Sequence, residues 1–407
     1  MLINFRVRNF KNLVDIGDNF KPQPLNVIIG PNGCGKSSLL QAIDFLRAFF
    51  MSSVEVYLKE KGWDFRDLPN LRQTGKTIEW TVTAKLEADE SGVGGGLYEY
   101  SIQLSPKRYL GIGEEKLIYT AHDKHRETLL DRDGRRVQIE NRKTGIKEES
   151  RLLRYPASII TGFDPVDDKA KYPELLHFRK WVEQFRYFLI WDPKILRRSD
   201  RGKHEELGPS GEHLAPLLGL LRQRSPAKFE RFLKRIRRLF PNVTDISVTG
   251  GKTWGWHTIR LHERNGHQDI SFNSQHMSDG VLRLLAVMNL LYLDHLPSLI
   301  MFEEPENGVH PQLVREVVQV LRELTQRKTP NRTQVILTTH SPYVLDEFYD
   351  HPEQVFVMER PQPQSGASLI QLSTASQIHT VNATFNKSLG EAWYSGMIGG
   401  TAKGSVK

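Results

Sequence analysis

Residues Gly30-Pro31-Asn32-Gly33-Cys34-Gly35-Lys36-Ser37 constrain this chain more than any others. They fit the spacing G-x-x-x-x-G-K-[ST] and fall between two different patterns. Before them, Leu25 to Ile29 is apolar except for Asn26, as in a strand buried on both faces. After them, Leu39, Ile43, Leu46 and Phe50 recur at helical spacing. Strand, glycine loop and helix in that order predict a phosphate cradle. The glycines let backbone N–H groups close around phosphate oxygens, Lys36 supplies positive charge, and the Ser37 hydroxyl can ligate Mg²⁺. Asn32, Gly33, Gly35, Lys36, Ser37 and Ser38 are therefore candidate nucleotide contacts. A glycine turn with a chance lysine is the plainer alternative, and the flanking strand and helix argue against it. Cys34 reads as a small residue of the loop rather than a redox switch.

A second site is expected at Leu299-Ile300-Met301-Phe302-Glu303-Glu304-Pro305-Glu306. An apolar run ends there in two adjacent carboxylates, at the strand edge where α/β sheets bind ligands. One acid can hold Mg²⁺ and the next can polarise the water that attacks a γ-phosphate. Thr338-Thr339-His340-Ser341 closes a further buried strand, Gln334 to Thr338. A histidine there can reach a γ-phosphate, although a lone histidine is more often structural. In Met277-Ser278-Asp279-Gly280, Ser278 resembles the N-cap of a long apolar helix. Such an end is an anion site or simply an ordinary cap.

Between the motifs the pattern alternates. Ile3, Phe5 and Val7 alternate with polar residues, and so do Ile78, Trp80, Val82, Ala84 and Leu86. Tyr98, Tyr100, Ile102 and Leu104 follow a glycine-rich turn, and another hairpin is expected at Asp133-Gly134. Residues 76–150 thus read as antiparallel sheet. Residues 170–240 read as helical, with Phe229, Phe232, Leu233, Ile236 and Leu239 on one stripe. Beside that stripe lie Lys228, Arg231, Lys234, Arg235, Arg237 and Arg238, a face that is either merely solvated or a DNA contact. Strands return over 243–272, turning at Asn265-Gly266.

Composition narrows the classes. The 56 Lys and Arg against 48 Asp and Glu leave a formal net charge of +8, which favours an anionic partner such as nucleic acid without requiring one. A single cysteine excludes an internal disulfide framework and a cysteine-based zinc site, and suits a reducing compartment. The longest apolar stretch, Leu284 to Leu293, is too short to cross a bilayer, and the N-terminal residues lack the apolar core of a signal peptide. A cytoplasmic protein with no membrane partner is expected.

Taken in order, the four motifs resemble the ATPase head of the ABC class, most closely the RecF/SMC-like branch of AAA-family ATPases. The resemblance rests on GPNGCGKSS, on Ser278-Asp279-Gly280-Val281-Leu282-Arg283-Leu284-Leu285, on FEEPENGVHP and on TTHSPYVLD. Arg8-Asn9-Phe10-Lys11-Asn12 resembles the first strand phrase of that branch, and weaker likeness extends to about residue 360.

The resemblance implies an α/β P-loop NTPase of the ABC-head type, in two lobes with an antiparallel subdomain and a helical insertion. The boundaries expected are 1–164 for the lobe with the P-loop, 165–245 for the insertion, 246–360 for the second lobe and 361–407 for a tail, mobile from Gly399. ATP and Mg²⁺ are the implied ligands. Lys36 and Ser37 would serve phosphate and metal, Glu303 the metal, Glu304 as catalytic base and His340 as γ-phosphate sensor. Ser278 and Gly280 would contact the nucleotide held by a second copy, so a homodimer is implied, ATP-dependent or constitutive.

There are departures. Glu303 stands where aspartate is usual, and Asp279 stands where transporter subunits have glycine. The Q-loop glutamine has no clear counterpart, Gln73 being a candidate. The activity expected is an ATP-driven switch on or near nucleic acid, in DNA maintenance or defence against foreign DNA. A regulatory scaffold that holds and releases a separate effector protein is the alternative. A transporter ATPase ranks last, because Lys36 and Ser278 are too far apart. No nuclease chemistry is expected, because the acids after His340 contain no paired D-x-D.

Overall fold

The computed structural model describes residues 1–51, 54–73, 76–105, 111–151, 157–189, 192–198, 200–201, 204–250, 256–327, 332–360, 366–372 and 388–400. The alternating segments build an antiparallel sheet. Its strands are β1 (Leu2–Phe10), β2 (Leu13–Asp15), β4 (Ile78–Leu86), β5 (Gly96–Ser105), β6 (Gly111–Thr120), β7 (Arg126–Asp133), β8 (Arg136–Asn141) and β9 (Ile146–Arg151). They run in the order β2-β1-β4-β5-β6-β7-β8-β9. Trp80, Val82, Tyr98 and Tyr100 face inward and are fully buried. In β1 the inward residue is Leu2, while Ile3 is exposed, contrary to the simple alternation. A register shift between Leu2 and Asn4 against β4 inserts one residue and reverses the facing.

The buried apolar runs build the second sheet. It comprises β3 (Leu25–Ile29), β10 (Phe185–Phe188), β15 (Leu299–Glu303), β16 (Gln334–Thr338), β17 (Val355–Glu359) and β18 (Ser368–Gln371). The order is β10-β15-β16-β3-β17-β18, parallel except for β18. A small third sheet holds β11 (Asp200–Arg201), β12 (Val243–Gly250), β13 (Trp256–Asn265) and β14 (Gln268–Asn273).

Helices α1 (Lys36–Met51), α2 (Val54–Lys61) and α3 (Pro173–Glu183) lie on the side of the antiparallel sheet. Opposite are α4 (Pro193–Leu196), α5 (Leu214–Arg224), α6 (Pro226–Leu239), α7 (Asp279–Leu290), α8 (Pro311–Gln326), α9 (Pro342–Asp346) and α10 (Leu389–Tyr394). The parallel sheet is consequently apolar on both faces. Ile28, Met301 and Ile336 join the core with α1, and Val27, Ile29, Ile300, Phe302 and Leu337 join the core with α5 to α8. Helix α1 is wedged between two sheets, so residues nearly all round it are buried. Phe45 stacks on Trp80 at 5.3 Å, and the Trp80 indole donates to the Ala42 carbonyl.

Three expected boundaries change. The P-loop strand β3 lies inside the same sheet as β15 and β16, so the P-loop and the carboxylate pair do not belong to separate lobes. The stretch 165–245 is not wholly helical, because β10 pairs with β15 and forms the edge of that sheet. The stretch 361–407 contributes β18, paired with β17, and α10, whose start is tied to Asp346 of α9. The rest of the expected mobile end, beyond Gly400, lies outside the described residues. Among the described residues no helix is long and apolar enough to cross a membrane.

Candidate nucleotide site

The order β15-β16-β3 decides where the chemistry gathers. Thr338 pairs with Ile28 on one side and with Glu303 on the other. The C-terminal ends of three parallel strands, and hence three of the four motifs, therefore meet at one edge of the sheet.

The P-loop leaves β3 through Gly30, at φ +152°. A Cβ there would lie 2.2 Å from the Met358 carbonyl oxygen of β17, so only glycine fits. Gly33 and Gly35 also have positive φ, and Gly35 packs on Leu13. The Asn12 amide donates to the Gly33 carbonyl at 3.0 Å, so the turn between β1 and β2 braces the loop from outside. Lys36 is buried, and its ammonium donates to the carbonyl oxygens of Gly30 (2.7 Å) and Pro31 (3.2 Å). Burial lowers its pKa, against the pull of Cys34, Glu304 and Glu303. Asn32, Gly33 and Ser37 are exposed and Ser38 half-buried. Burial pushes the Cys34 thiol up, which disfavours a reactive thiolate and agrees with a packing role.

Glu303 ends β15 half-buried, and the Tyr187 hydroxyl of β10 donates to its Oε1. The next residue, Glu304, has φ +46°, a left-handed conformation that costs a non-glycine residue about 1–3 kcal/mol and clusters at functional sites. Its N–H donates to the Thr338 carbonyl at 3.0 Å, which fixes the turn against β16. His340 leaves β16 with Nε2 3.8 Å from Glu304 Oε1. Burial and then the charge of Lys36 lower the imidazole pKa below its ordinary 6.5, with Glu304 opposing. That lowering favours the neutral ring, which can donate one hydrogen bond. An oxygen-donor pair (Ser37 and Glu303), a cation, an acid–base carboxylate and a neutral imidazole can together bind and cleave a phosphoanhydride.

Ser278 and Gly280 are placed differently. Ser278 is exposed and caps its own helix, accepting from the Val281 N–H at 3.3 Å. Gly280 packs on the turn after Glu304, where a Cβ would lie 2.8 Å from the Gly308 oxygen. Arg283 of α7 donates to the Asn307 carbonyl of the same turn. Among the described residues no hydrogen bond or ion pair links Ser278 to the P-loop. Among the described residues the Gln73 side chain likewise makes no hydrogen bond to these groups; Gln41 of α1 accepts from Lys11.

Tyr187 has a place in the site that the sequence did not signal, and Thr339 and Glu306 fall inside the expected motifs without an assigned role. Tyr187 reaches Glu303 from the neighbouring strand and Thr339 bonds Glu306, and such links have no sequence period. Among the described residues, three of the six cations of α6 form ion pairs: Arg235 with Glu316 and Glu323 of α8, Arg238 with Glu316, and Lys228 with Asp294, while Arg231, Lys234, Arg237 and Arg238 are exposed.

Residues 25–346 match the family described as "AAA domain, putative AbiEii toxin, Type IV TA system". A 45-residue stretch is 47% identical to the DNA replication and repair protein RecF of Lactobacillus johnsonii (strain CNCM I-12250 / La1 / NCC 533), covering 11% of this chain and 12% of that protein. In fold the chain is similar to the SmcHead bound to the C-winged helix domain of ScpA, with a TM-score of 0.54 and 12% identity over 91% of this chain and 98% of that one. It is also similar to the Smc head domain with an extended coiled coil bound to the C-terminal domain of ScpA, derived from Pyrococcus furiosus. That likeness has a TM-score of 0.52 and 12% identity over 94% and 100% of the two chains.

Proposed function

Because this chain belongs to that AAA-domain family and has the fold of RecF/SMC-like, ABC-type ATPase heads, we propose that it is an ATP-hydrolysing switch acting on or near nucleic acid. The observation that carries the reading is the meeting of Lys36, Glu303, Glu304 and His340 at one sheet edge.

The loop N–H groups and Lys36 hold the phosphates. The Ser37 hydroxyl and the Glu303 carboxylate are hard oxygen donors of the kind Mg²⁺ takes, and Tyr187 keeps Glu303 in place. When bound, the ion neutralises charge on the phosphate oxygens. Glu304 accepts a proton from the attacking water, and neutral His340 donates to the γ-phosphate. Ser278, exposed at the start of α7, completes the nucleotide site of a second copy, so that two chains close on two ATP molecules. Closure and reopening are the mechanical output. We place this activity in the cytoplasm, in DNA maintenance or defence against foreign DNA.

The test is ATP turnover with and without single- and double-stranded DNA, with mass measured by light scattering. Stimulation by DNA, and an ATP-dependent dimer in Glu304→Gln that Ser278→Arg abolishes, are expected. Turnover and mass indifferent to DNA and ATP would reject the switch. A second reading, a head that holds and releases a separate effector protein, draws on the family's description, which names a toxin system. It predicts turnover unmoved by DNA and altered by a co-expressed partner.

A further inference from the structure

We propose that Glu306 is a positioning residue which, through Thr339, sets the spacing between Glu304 and His340 that turnover requires. The inference rests on the reading of this site as ATP-hydrolysing. Glu306 is two residues past Glu304 yet only 7% exposed, so it is not placed to be an alternative base in contact with solvent. Its Oε1 accepts from the Thr339 hydroxyl. Thr339 is itself fully buried, and its Oγ1 accepts from the Ser341 N–H at 2.9 Å. A threonine hydroxyl has one proton, so its donation to Glu306 and its acceptance from Ser341 fix the direction of the chain.

The Thr339 backbone adds a third tie, its N–H donating to the Ile28 carbonyl of β3 at 3.2 Å. One residue therefore joins the turn after β15, the exit from β16 and the strand that leads into the P-loop. His340 lies between the two partners of this junction, Thr339 and Ser341. Glu304 is held at the other end of the same turn, where Asn307 N–H donates to its carbonyl at 3.0 Å. Movement of Glu306 thus changes the 3.8 Å separation of His340 Nε2 and Glu304 Oε1.

The choice of a carboxyl is informative. Glu306 Oε2 is buried and makes no close hydrogen bond among the described residues, although the backbone N–H groups of His340 and of Glu306 itself face the carboxyl. Burial raises the acid to about 7, with the charge of Glu304 adding to the effect and Thr339 opposing it. An apolar or smaller side chain would fill this space at less cost, but it could not receive the Thr339 proton.

The experiment compares Glu306→Ala, Glu306→Gln, Thr339→Val, Thr339→Ser and the Ala/Val double variant in the full chain. It reads kcat, KM, ATP affinity and the NMR chemical shift of the His340 imidazole, assigned by its loss in His340→Ala. Glu306→Ala and Thr339→Val are expected to lower kcat by roughly 10–100-fold with KM and ATP affinity within about threefold. The double variant should be no worse than either single one, because both break one link. Thr339→Ser and Glu306→Gln keep the donor and the acceptor, and should restore kcat to within about threefold of the parent. The His340 signal should move in the Ala and Val variants and return in Thr339→Ser. Unchanged kcat in Glu306→Ala, additive losses in the double variant, or loss of ATP affinity in step with kcat would overturn the proposal. If the parent binds ATP without hydrolysing it, the functional reading fails by itself. The His340 signal then decides the positioning claim, and a signal that ignores both residues overturns it.

Discussion

Replacing Arg235 by alanine should destabilise the fold and leave nucleic-acid affinity unchanged. Arg235 projects from α6 onto α8, where it pairs with Glu316 and with Glu323. The Arg235 and Glu316 side chains are only 11% and 7% exposed. Removing the guanidinium leaves Glu316 buried with Arg238 alone, 3.2 Å away and 63% exposed. Breaking a buried ion pair from one side costs about 3–5 kcal/mol, because the orphaned charge stays desolvated. The remaining Arg238 compensates part of that, so about 2–3 kcal/mol is expected. The assay is denaturant unfolding, read as a shifted midpoint at unchanged slope. Arg235→Ala with Glu316→Ala should recover part of the loss, since no unpaired carboxylate remains. A loss below about 0.5 kcal/mol, typical of a surface substitution, would refute the structural role, and so would weakened DNA binding at full stability.

Lys36→Ala should weaken ATP binding on the order of 10²-fold with an unchanged melting profile, and unaltered affinity by calorimetry would remove the P-loop assignment. In Gly280→Ala the new methyl would press on the Gly308 oxygen, 2.8 Å away, and displace the turn carrying Glu304. Turnover should fall roughly tenfold while ATP affinity, measured in parallel, holds. Stability should depend on pH through Glu306, whose carboxyl is raised by burial from 4.5 to about 7. The unfolded chain loses that proton near 4.5 and the folded chain only near 7. The contribution is therefore complete below 4.5 and is lost as pH rises to about 7, on the order of 3 kcal/mol. Glu306→Gln should flatten unfolding free energy over that window, and a parent-like slope in the variant would contradict the burial argument.

Much of the fold was legible because its signals are local. The alternation of Trp80, Val82 and Ala84, and the apolar runs of β3, β15 and β16, mark strands by burial on one face or two. β10 was not legible: four residues at a sheet edge, following a helix directly, carry no period of their own. The placing of the P-loop strand between β16 and β17 was also hidden, since strand order depends on long-range pairing. At the site, motif spacing pointed to Lys36, Glu303, Glu304 and His340. It could not point to Tyr187, which reaches Glu303 across 116 residues of sequence, or to the link from Thr339 to Glu306. The two readings of the basic helix, solvated face or DNA contact, could not be weighed from the sequence for a related reason. Its charge pattern was visible, but the acids that engage it belong to another helix.

The most direct test of the central claim is ATP turnover by Glu304→Gln beside the parent, with ATP affinity measured on both. The amide keeps the shape of the side chain and removes the base. The account predicts a parent that hydrolyses ATP and a variant that binds it equally well while turning over roughly 10²–10⁴-fold more slowly. A variant that hydrolyses at the parent rate, or a parent that binds ATP and leaves it intact, would contradict it.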